Sequence, residues 1–364
     1  MSTTEAQISQ AAAAREPADV SVRPYAPSWL NRLLDWIDRL PGPAWLAYGV
    51  VAVLSSVAGH FALWNAGLLP LWQFDPVQVF WGVYLPAQLW IIRHLDGVAR
   101  SAFDAFRPAV DLDDESAARL RYELTVTPAR PAGVIAVLVL PVTLLYYALD
   151  PVGSQVEGYG PASLAARATA EWFVGAVLFV FIYHTVRQLR LVSRLHAATT
   201  RIDLFQPRPL YAFSRLTSRT GMALLILIAS GLMANPPNLD SATFWTIWAP
   251  WAIGVPLFAV GVFVLPLLGM HQRLASEKEQ IQTDADNRLR TIMGELTTAV
   301  DARDLSRAEG MQKLLASHLS QRDVLARLPT WPWSGGTLRG FATTLLLPVI
   351  VFLIQRGVIE LLPK

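Results

Sequence analysis

The residues most able to carry chemistry in this sequence are the ionisable side chains that fall inside apolar stretches. A charge or an imidazole within hydrocarbon costs several kcal/mol unless it is paired or used, so such residues mark candidate sites. Most of them lie at the end of an apolar stretch, where anchoring at a membrane surface explains them. The residues of this kind are Glu171, His184, Arg187 and the Arg93-His94 pair, all near the end of a stretch, and His60.

His60 stands apart because the sequence around it, VAGHFALW, is apolar on both sides. It falls late in its apolar stretch and therefore close to the predicted outer surface. A hydrogen-bonded or hydrated imidazole is favoured there over a proton relay. We retain His60 as a candidate for a transport path.

Catalytic and cofactor motifs are absent from the sequence. The chain has no Cys, which excludes disulfides, thiolate metal sites, thiol nucleophiles and iron–sulfur clusters. It also has no HExxH, GxSxG, GxGxxG or phosphate-loop pattern, so it lacks the usual signatures of zinc proteases, serine hydrolases and nucleotide sites. The sequence therefore predicts no enzyme and no catalytic, cofactor-binding or metal residue.

An acidic cluster, DLDDES, occupies residues 111–116. Its carboxylates could bind a hard divalent cation, but a calcium loop requires alternating ligands, a central Gly and a distal Glu. The cluster instead predicts the start of a helix, capped by Asp113 or Asp114.

The elements that must position these residues are membrane helices. The 364-residue chain is 53% apolar and only 16% charged, and its mean hydropathy is +0.36, which is too apolar for an ordinary soluble protein. Hydrocarbon about 30 Å thick requires roughly 20 apolar helical residues. The sequence predicts an all-α, polytopic membrane protein with about seven transmembrane helices and a cytoplasmic helical hairpin. The predicted spans are 44–64, 77–94, 132–149, 170–187, 219–235, 244–269 and 340–360.

The distribution of positive charge predicts the orientation of these spans. Segments 1–43, 93–130, 187–219 and 271–339 hold 27 of the 30 lysines and arginines, and cytoplasmic segments retain such an excess. The positive charge is spread over the predicted cytoplasmic segments and does not form one continuous basic surface, so the sequence does not predict nucleic-acid binding. We expect a cell-membrane protein with a cytoplasmic N-terminus and an extracytoplasmic C-terminus. Whether 340–360 crosses fully stays open, because Arg356 and Glu360 lie in its last turns.

The N-terminal segment is predicted to lack a signal peptide. Residues 1–27 are small and polar, which indicates a disordered tail. Residues 28–43 form an amphipathic pattern with Ser28 as N-cap, and Pro41-Gly42-Pro43 stops it. We expect this helix to lie on the cytoplasmic leaflet with its apolar face toward lipid.

Segment 271–330 departs most from lipid-like composition and predicts a charged helical hairpin. The sixth span continues into it as a helix, turns near 303–306 with a Ser306–Glu309 capping box, and returns. Residues 331–364 then provide an interfacial turn with two Trp and the last span. An isolated hairpin buries little surface, so it requires other loops of the chain, a second subunit or a cytoplasmic protein.

Arginines continue past the fourth span, with Arg187, Arg190 and Arg194 on one helical face and Arg201 beyond. Cations just inside a membrane attract anionic lipid headgroups, which is the interpretation we prefer. A voltage sensor would place them within the hydrocarbon, and no glycine-rich phosphate loop accompanies them.

Two segments carry a resemblance. TRIDLFQPRPLYAFSRLTSRT at 200–220 and LPTWPWSGGTLRGF at 328–341 resemble stretches of uncharacterised bacterial multi-pass membrane proteins. The resemblance covers about a tenth of the chain and implies only the membrane organisation described above.

Prolines interrupt several predicted spans, and such breaks are common in transporters and channels as well as in passive bundles. The sixth span is the most interrupted, with Pro256, Gly261 and Pro266, and it leads directly into the hairpin. The leading hypothesis is a homo-oligomeric channel or transporter in which this span lines or gates a path. The alternative is a non-enzymatic sensor or scaffold that docks a cytoplasmic partner through 271–328.

Overall fold

A computed structural model of the protein describes residues 23–149, 159–199, 209, 211–234, 245–246 and 249–361, without the side chains of 305, 308, 356 and 358–361. It is 85% helical and has no strand in the part it describes, which confirms the all-α fold. The long helices are α1 (Trp29–Asp38), α2 (Ala44–Asn65), α3 (Pro76–Phe106), α4 (Asp114–Thr125), α5 (Ala129–Leu149), α6 (Pro161–Ala197), α7 (Ala212–Ala234), α8 (Ala249–Asp301), α9 (Leu305–Arg327) and α10 (Gly335–Leu361).

Six of the described helices are long and apolar enough to cross a membrane, namely α2, α5, α6, α7, α8 and α10. The chain is therefore a multi-pass helical membrane protein. The predicted span 77–94 lies in α3, which is not among the six. Its Trp, Tyr and Gln residues make this segment less apolar than the others.

α3 nevertheless runs antiparallel along α2. The Ser56 hydroxyl donates to the Val79 carbonyl at 3.4 Å, and the Asp75 backbone N–H donates to His60 at 2.9 Å. At the opposite end Arg93 pairs with Asp38 of α1. A helix that packs against other helices need not be as apolar as one that faces lipid. That α3 is a seventh span therefore stays a prediction, which its antiparallel packing along α2 favours. We refer to the two ends of the bundle as the His60 end and the α1 end.

α7 is the central helix of the bundle. Of its apolar segment 56% is buried, against 11% for α2 and for α10. A Cβ on Gly221 would lie 2.6 Å from Cε2 of Phe341 and 3.1 Å from the Ala259 carbonyl oxygen, so α7, α8 and α10 meet where only glycine fits. α8, which we expected to line a path, exposes Leu257 and Leu265 along one side.

α1 packs differently from its predicted arrangement. The helix begins after Ser28, whose hydroxyl accepts from the Asn31 N–H as expected for an N-cap. Its apolar face does not simply lie on lipid, because Leu30, Leu34 and Ile37 are almost completely buried in the helix bundle. The amphipathic pattern was interpreted correctly, but the bundle covers the face assigned to the bilayer.

The predicted tail 1–27 falls mostly outside the described residues, but residues 23–27 are held by the α4–α5 connection. The Tyr25 hydroxyl donates to the Val126 carbonyl at 2.8 Å. The Ser28 N–H donates to the Thr127 carbonyl at 2.9 Å. For these last residues of the segment the prediction of disorder was wrong.

α8 continues through Pro256 and Pro266 as one helix of 53 residues, and the chain turns at 302–304. Arg303 has a φ of +56°, the left-handed conformation that ends a helix. Asp304 caps α9 by accepting from the Arg307 N–H at 3.1 Å. The predicted Ser306 cap was therefore wrong, and the Ser306 hydroxyl donates to Asp304 instead.

The hairpin formed by α8 and α9 holds together through its own contacts. The Lys278 ammonium donates to the Ala326 and Leu328 carbonyls at 2.8 Å, and Arg322 pairs with Asp286 at 3.0 Å. α9 makes no comparable contact with any other described helix. Only part of its predicted apolar face turns inward, because Leu314, Leu319 and Val324 are about half exposed.

A column of aromatic rings fixes the base of the hairpin to α10. Its successive ring centroids are 3.8 to 4.9 Å apart, and neighbouring rings are within 22° of parallel. The two tryptophans that we placed at a membrane surface thus stack on α8. The column runs His271, Trp331, Trp333, Phe263 and Phe341.

Candidate functional site

Asp96 of α3 and His184 of α6 face each other at the α1 end of the bundle. Their side chains are 3% and 7% exposed, and Nε2 of His184 lies 3.6 Å from Oδ1 of Asp96. Nδ1 of His184 is 3.0 Å from the Thr127 hydroxyl. Oδ2 of Asp96 and Nε2 of His184 have no hydrogen-bond partner among the described residues. We call these two residues the Asp96–His184 pair.

The surroundings of the pair favour a carboxyl that holds its proton. Burial raises the pKa of Asp96 above its ordinary value, while His184, Arg93 and Arg100 oppose that shift without cancelling it. A buried carboxylate loses hydration that these neighbours replace only in part. Asp96 can therefore carry a proton at a pH where an exposed aspartate has lost it.

Arg93 fixes α1 against the site. Its Nε donates to Asp38 at 2.6 Å, and its Nη2 lies 3.3 Å from Asp35. Both acids belong to α1, so the guanidinium is shared between this pairing and the more distant Asp96. The end anchor expected from the sequence is thus an ion pair between helices.

Arg187 is also used inside the protein. Its Nη1 donates to the Glu123 and Val126 carbonyls at 2.6 and 3.1 Å, and its guanidinium lies over the ring of Tyr25. This geometry leaves little of Arg187 for a lipid headgroup.

Of the other arginines assigned to lipid contact, Arg190 and Arg194 are exposed. Lipid contact by these two stays a prediction. Arg201 lies outside the described residues.

Other buried polar side chains of the bundle also lack partners among the described residues. Gln88 of α3 is 1% exposed, and neither its amide oxygen nor its amide nitrogen has a hydrogen-bond partner in the described structure. The hydroxyls of Thr185 and Thr220 are also buried and have no hydrogen-bond partner among the described residues. By contrast, Gln188 donates to the Leu124 carbonyl at 2.7 Å.

His60 has a structural position at the other end. Its Nδ1 lies 2.7 Å from the Ser56 carbonyl, and its Nε2 accepts from the Asp75 N–H. Asp75 in turn caps α3 by accepting from Val77 and Gln78. Because both ring nitrogens are engaged, the imidazole has no free position for relaying a proton.

The α8 residues selected from the sequence do not join the Asp96–His184 pair. Pro266 is buried and its carbonyl lies 3.0 Å from Nδ1 of His196, so it joins α8 to α6. Pro256 and Gly261 are partly exposed positions of α8. His60 contacts α2 and the 66–75 connection, and it is not brought to these three residues.

Asp96 and Gln88 were not among the candidates predicted from the sequence. Asp96 falls just after the predicted span 77–94 and looks like a loop residue. The signal lay in the helical spacing, since Gln88, Ile92 and Asp96 are four residues apart and share one buried face. His184 was noticed, but its partner is too distant in sequence to be inferred.

Comparisons with protein-family models, with curated proteins and with solved structures find no match to this chain. Within the described residues, no group of three or more His, Asp or Glu side chains is placed to hold a metal ion.

Proposed function

We propose that this membrane protein transports an ion and that the Asp96–His184 pair holds the charge during transport. The observation that carries this proposal is a buried carboxyl group and imidazole, with Nε2 of His184 3.6 Å from Oδ1 of Asp96. Neither that Nε2 nor the second carboxyl oxygen, Oδ2, has a hydrogen bond within the described structure. Buried polar atoms in natural proteins are nearly always satisfied, and exceptions call for an explanation. An ionisable group buried inside a helical membrane bundle is by default a candidate for a functional site such as an ion or proton pathway.

The location of the pair supports the same function. It joins α3 to α6 and, through Thr127, to the α4–α5 connection. With the orientation predicted from charge, the α1 end faces the cytoplasm and the pair lies at the inner mouth of the bundle. α8 passes from the bundle into the hairpin without a break, which supports control or oligomeric assembly through the hairpin.

Charge movement across reconstituted vesicles tests the proposal. We expect Asp96→Asn to lower the rate of charge movement under an imposed gradient at least about tenfold, which corresponds to about 1.4 kcal/mol in the barrier. Asp104→Asn makes the same chemical change on the same helix, at an exposed residue paired with Arg121. That variant should behave like the wild type. If wild-type vesicles conduct no more than protein-free vesicles, the proposed function is wrong.

A sensor or scaffold is the second candidate, and the exposed side of the hairpin favours it. Met293, Val300, Leu314, Leu319 and Val324 are 46% to 56% exposed on the two helices of the hairpin. Exposed apolar side chains that form one patch would mark a binding site.

A Leu319→Ser, Val324→Ser variant tests this candidate. It should lose self-association or a co-purifying partner while it still folds. Unchanged assembly and unchanged partners would leave this face as solvent-exposed surface only.

A further inference from the structure

Buried polar groups lie at successive levels of the bundle between the Asp96–His184 pair and the interior. Gln88 lies two helical turns from Asp96 on the same face of α3, about 12 Å along the axis at 1.5 Å per residue. Neither end of its amide makes a hydrogen bond of ordinary geometry among the described residues, and its one polar neighbour there is the Tyr84 side chain, one turn earlier. It falls near the middle of the predicted span 77–94, where an unsatisfied amide is most costly.

Thr220 lies between these two residues in height. Arg219 of α7 contacts His94 of α3 at 3.3 Å, and the Tyr84 hydroxyl donates to the Leu227 carbonyl at 3.3 Å. α7 is therefore antiparallel to α3, with Thr220 between the levels of Gln88 and Asp96. Its buried hydroxyl has no partner in the described part of the chain.

These groups have the chemistry to hold water. A Gln amide offers two donors and an acceptor oxygen, and a Thr hydroxyl both donates and accepts. Buried polar groups without protein partners typically bind ordered water. A separation of about 12 Å accommodates on the order of four water molecules at hydrogen-bond spacing.

The charges around the pair select the ion. Arg93 and Arg100 lie near Asp96 from α3 itself, His184 faces it from α6, and Tyr48 of α2 is also close. Arg100 opposes a metal cation, and Arg93 does so less because Asp35 and Asp38 of α1 pair with it. A metal cation would also require further oxygen ligands. A proton requires neither a coordination shell nor a large cavity.

We propose that the transported ion is a proton, exchanged between Asp96 and His184 and relayed inward by water held at Thr220 and Gln88. In the first step the O–H bond of protonated Asp96 breaks and an N–H bond forms at Nε2 of His184. This step leaves a carboxylate and an imidazolium. For net transport, a hydronium O–H bond in the water relay breaks as the Asp96 O–H bond forms again, and the imidazolium N–H bond breaks as its proton passes to water at the α1 end. Water is the only other reactant. This inference rests on the proposed function.

Proton flux in vesicles tests the relay. Vesicles that contain a pH-sensitive dye are given a potassium gradient and valinomycin, in choline buffer and in sodium buffer. We expect equal acidification in both buffers and at least about a tenfold loss for Gln88→Leu. Gln78→Leu removes the same amide from α3 near the His60 end and should retain wild-type flux.

Stability separates a relay from a structural role. Leucine removes two unpartnered polar atoms, so Gln88→Leu should unfold at the wild-type temperature or above it. A lower unfolding temperature together with the loss of flux would indicate a structural glutamine and overturn the relay.

The remaining outcomes distinguish the two proposals. If flux depends on Asp96 but is unchanged by Gln88→Leu, the relay is wrong and the proposed function stands. If charge moves only in the sodium buffer, the transported ion is sodium and the proton proposal is wrong. Wild-type vesicles that conduct nothing would remove the basis of both proposals.

Discussion

At the scale of the residue, the central feature is a carboxyl group buried beside an imidazole. Asp96 is 2% exposed, and its nearest ionisable partner is 3.6 Å away, too far for a strong hydrogen bond. The sequence indicated His184 only as an end anchor because chain position does not reveal which side chains meet. His60, the more conspicuous histidine, proved to be fully hydrogen bonded at the other end of the bundle.

Asp96 makes a prediction about the pH dependence of stability. Its pKa is raised on folding, so the folded protein binds more protons than the unfolded protein above the ordinary pKa of about 4. Stability should therefore fall as the pH rises from about 4 through the raised pKa. Thermal unfolding in detergent across this range should show a decline in the wild type that Asp96→Asn lacks. A decline of equal size in Asp96→Asn, with Asp104→Asn as control, would assign the effect to other groups.

At the scale of the element, helix limits were largely predictable and helix neighbours were not. Apolar length predicted the spans within α2, α5, α6, α7, α8 and α10 because the bilayer sets that length. Which helix lies at the centre depends on how side chains fit together. α7 lies there, and Gly221 lets it pack closely against α8 and α10. The predicted span in α3 is less apolar than the other six because it carries Gln, Trp and Tyr residues.

The contact between α2 and α3 yields a prediction about stability. A Cβ on Gly82 would lie 2.6 Å from the backbone N and Cα of Ser56, and backbone atoms cannot move aside as a flexible side chain can. Gly82→Ala should destabilise the protein by about 1–3 kcal/mol.

Gly97→Ala is the control on the same helix. A Cβ at Gly97 would have no atom from outside the neighbouring turns of α3 within 4 Å. This variant should stabilise the helix by about 0.5–1 kcal/mol. Equal unfolding temperatures for the two variants would contradict the close approach.

At the scale of the whole molecule, α8 joins a membrane bundle to a helical hairpin. The bundle holds the buried pair near the end where α1, α3, α6 and the α4–α5 connection meet. The hairpin extends from the same end, and its base is fixed by the aromatic column and by Lys278. Sequence patterns predicted the hairpin because its charge contrasts with the spans. They could not predict the pair, because that depends on contacts between distant helices.

The most direct test of the central claim is charge movement in vesicles with Asp96→Asn, His184→Gln and the double variant at equal protein density. Residues that act as one unit are not additive. Each single variant should lose most of the wild-type rate, and the double variant should lose no more than the worse single variant. Wild-type rates in all three variants, or wild-type vesicles that behave like protein-free vesicles, would contradict the claim that this pair holds the transported charge.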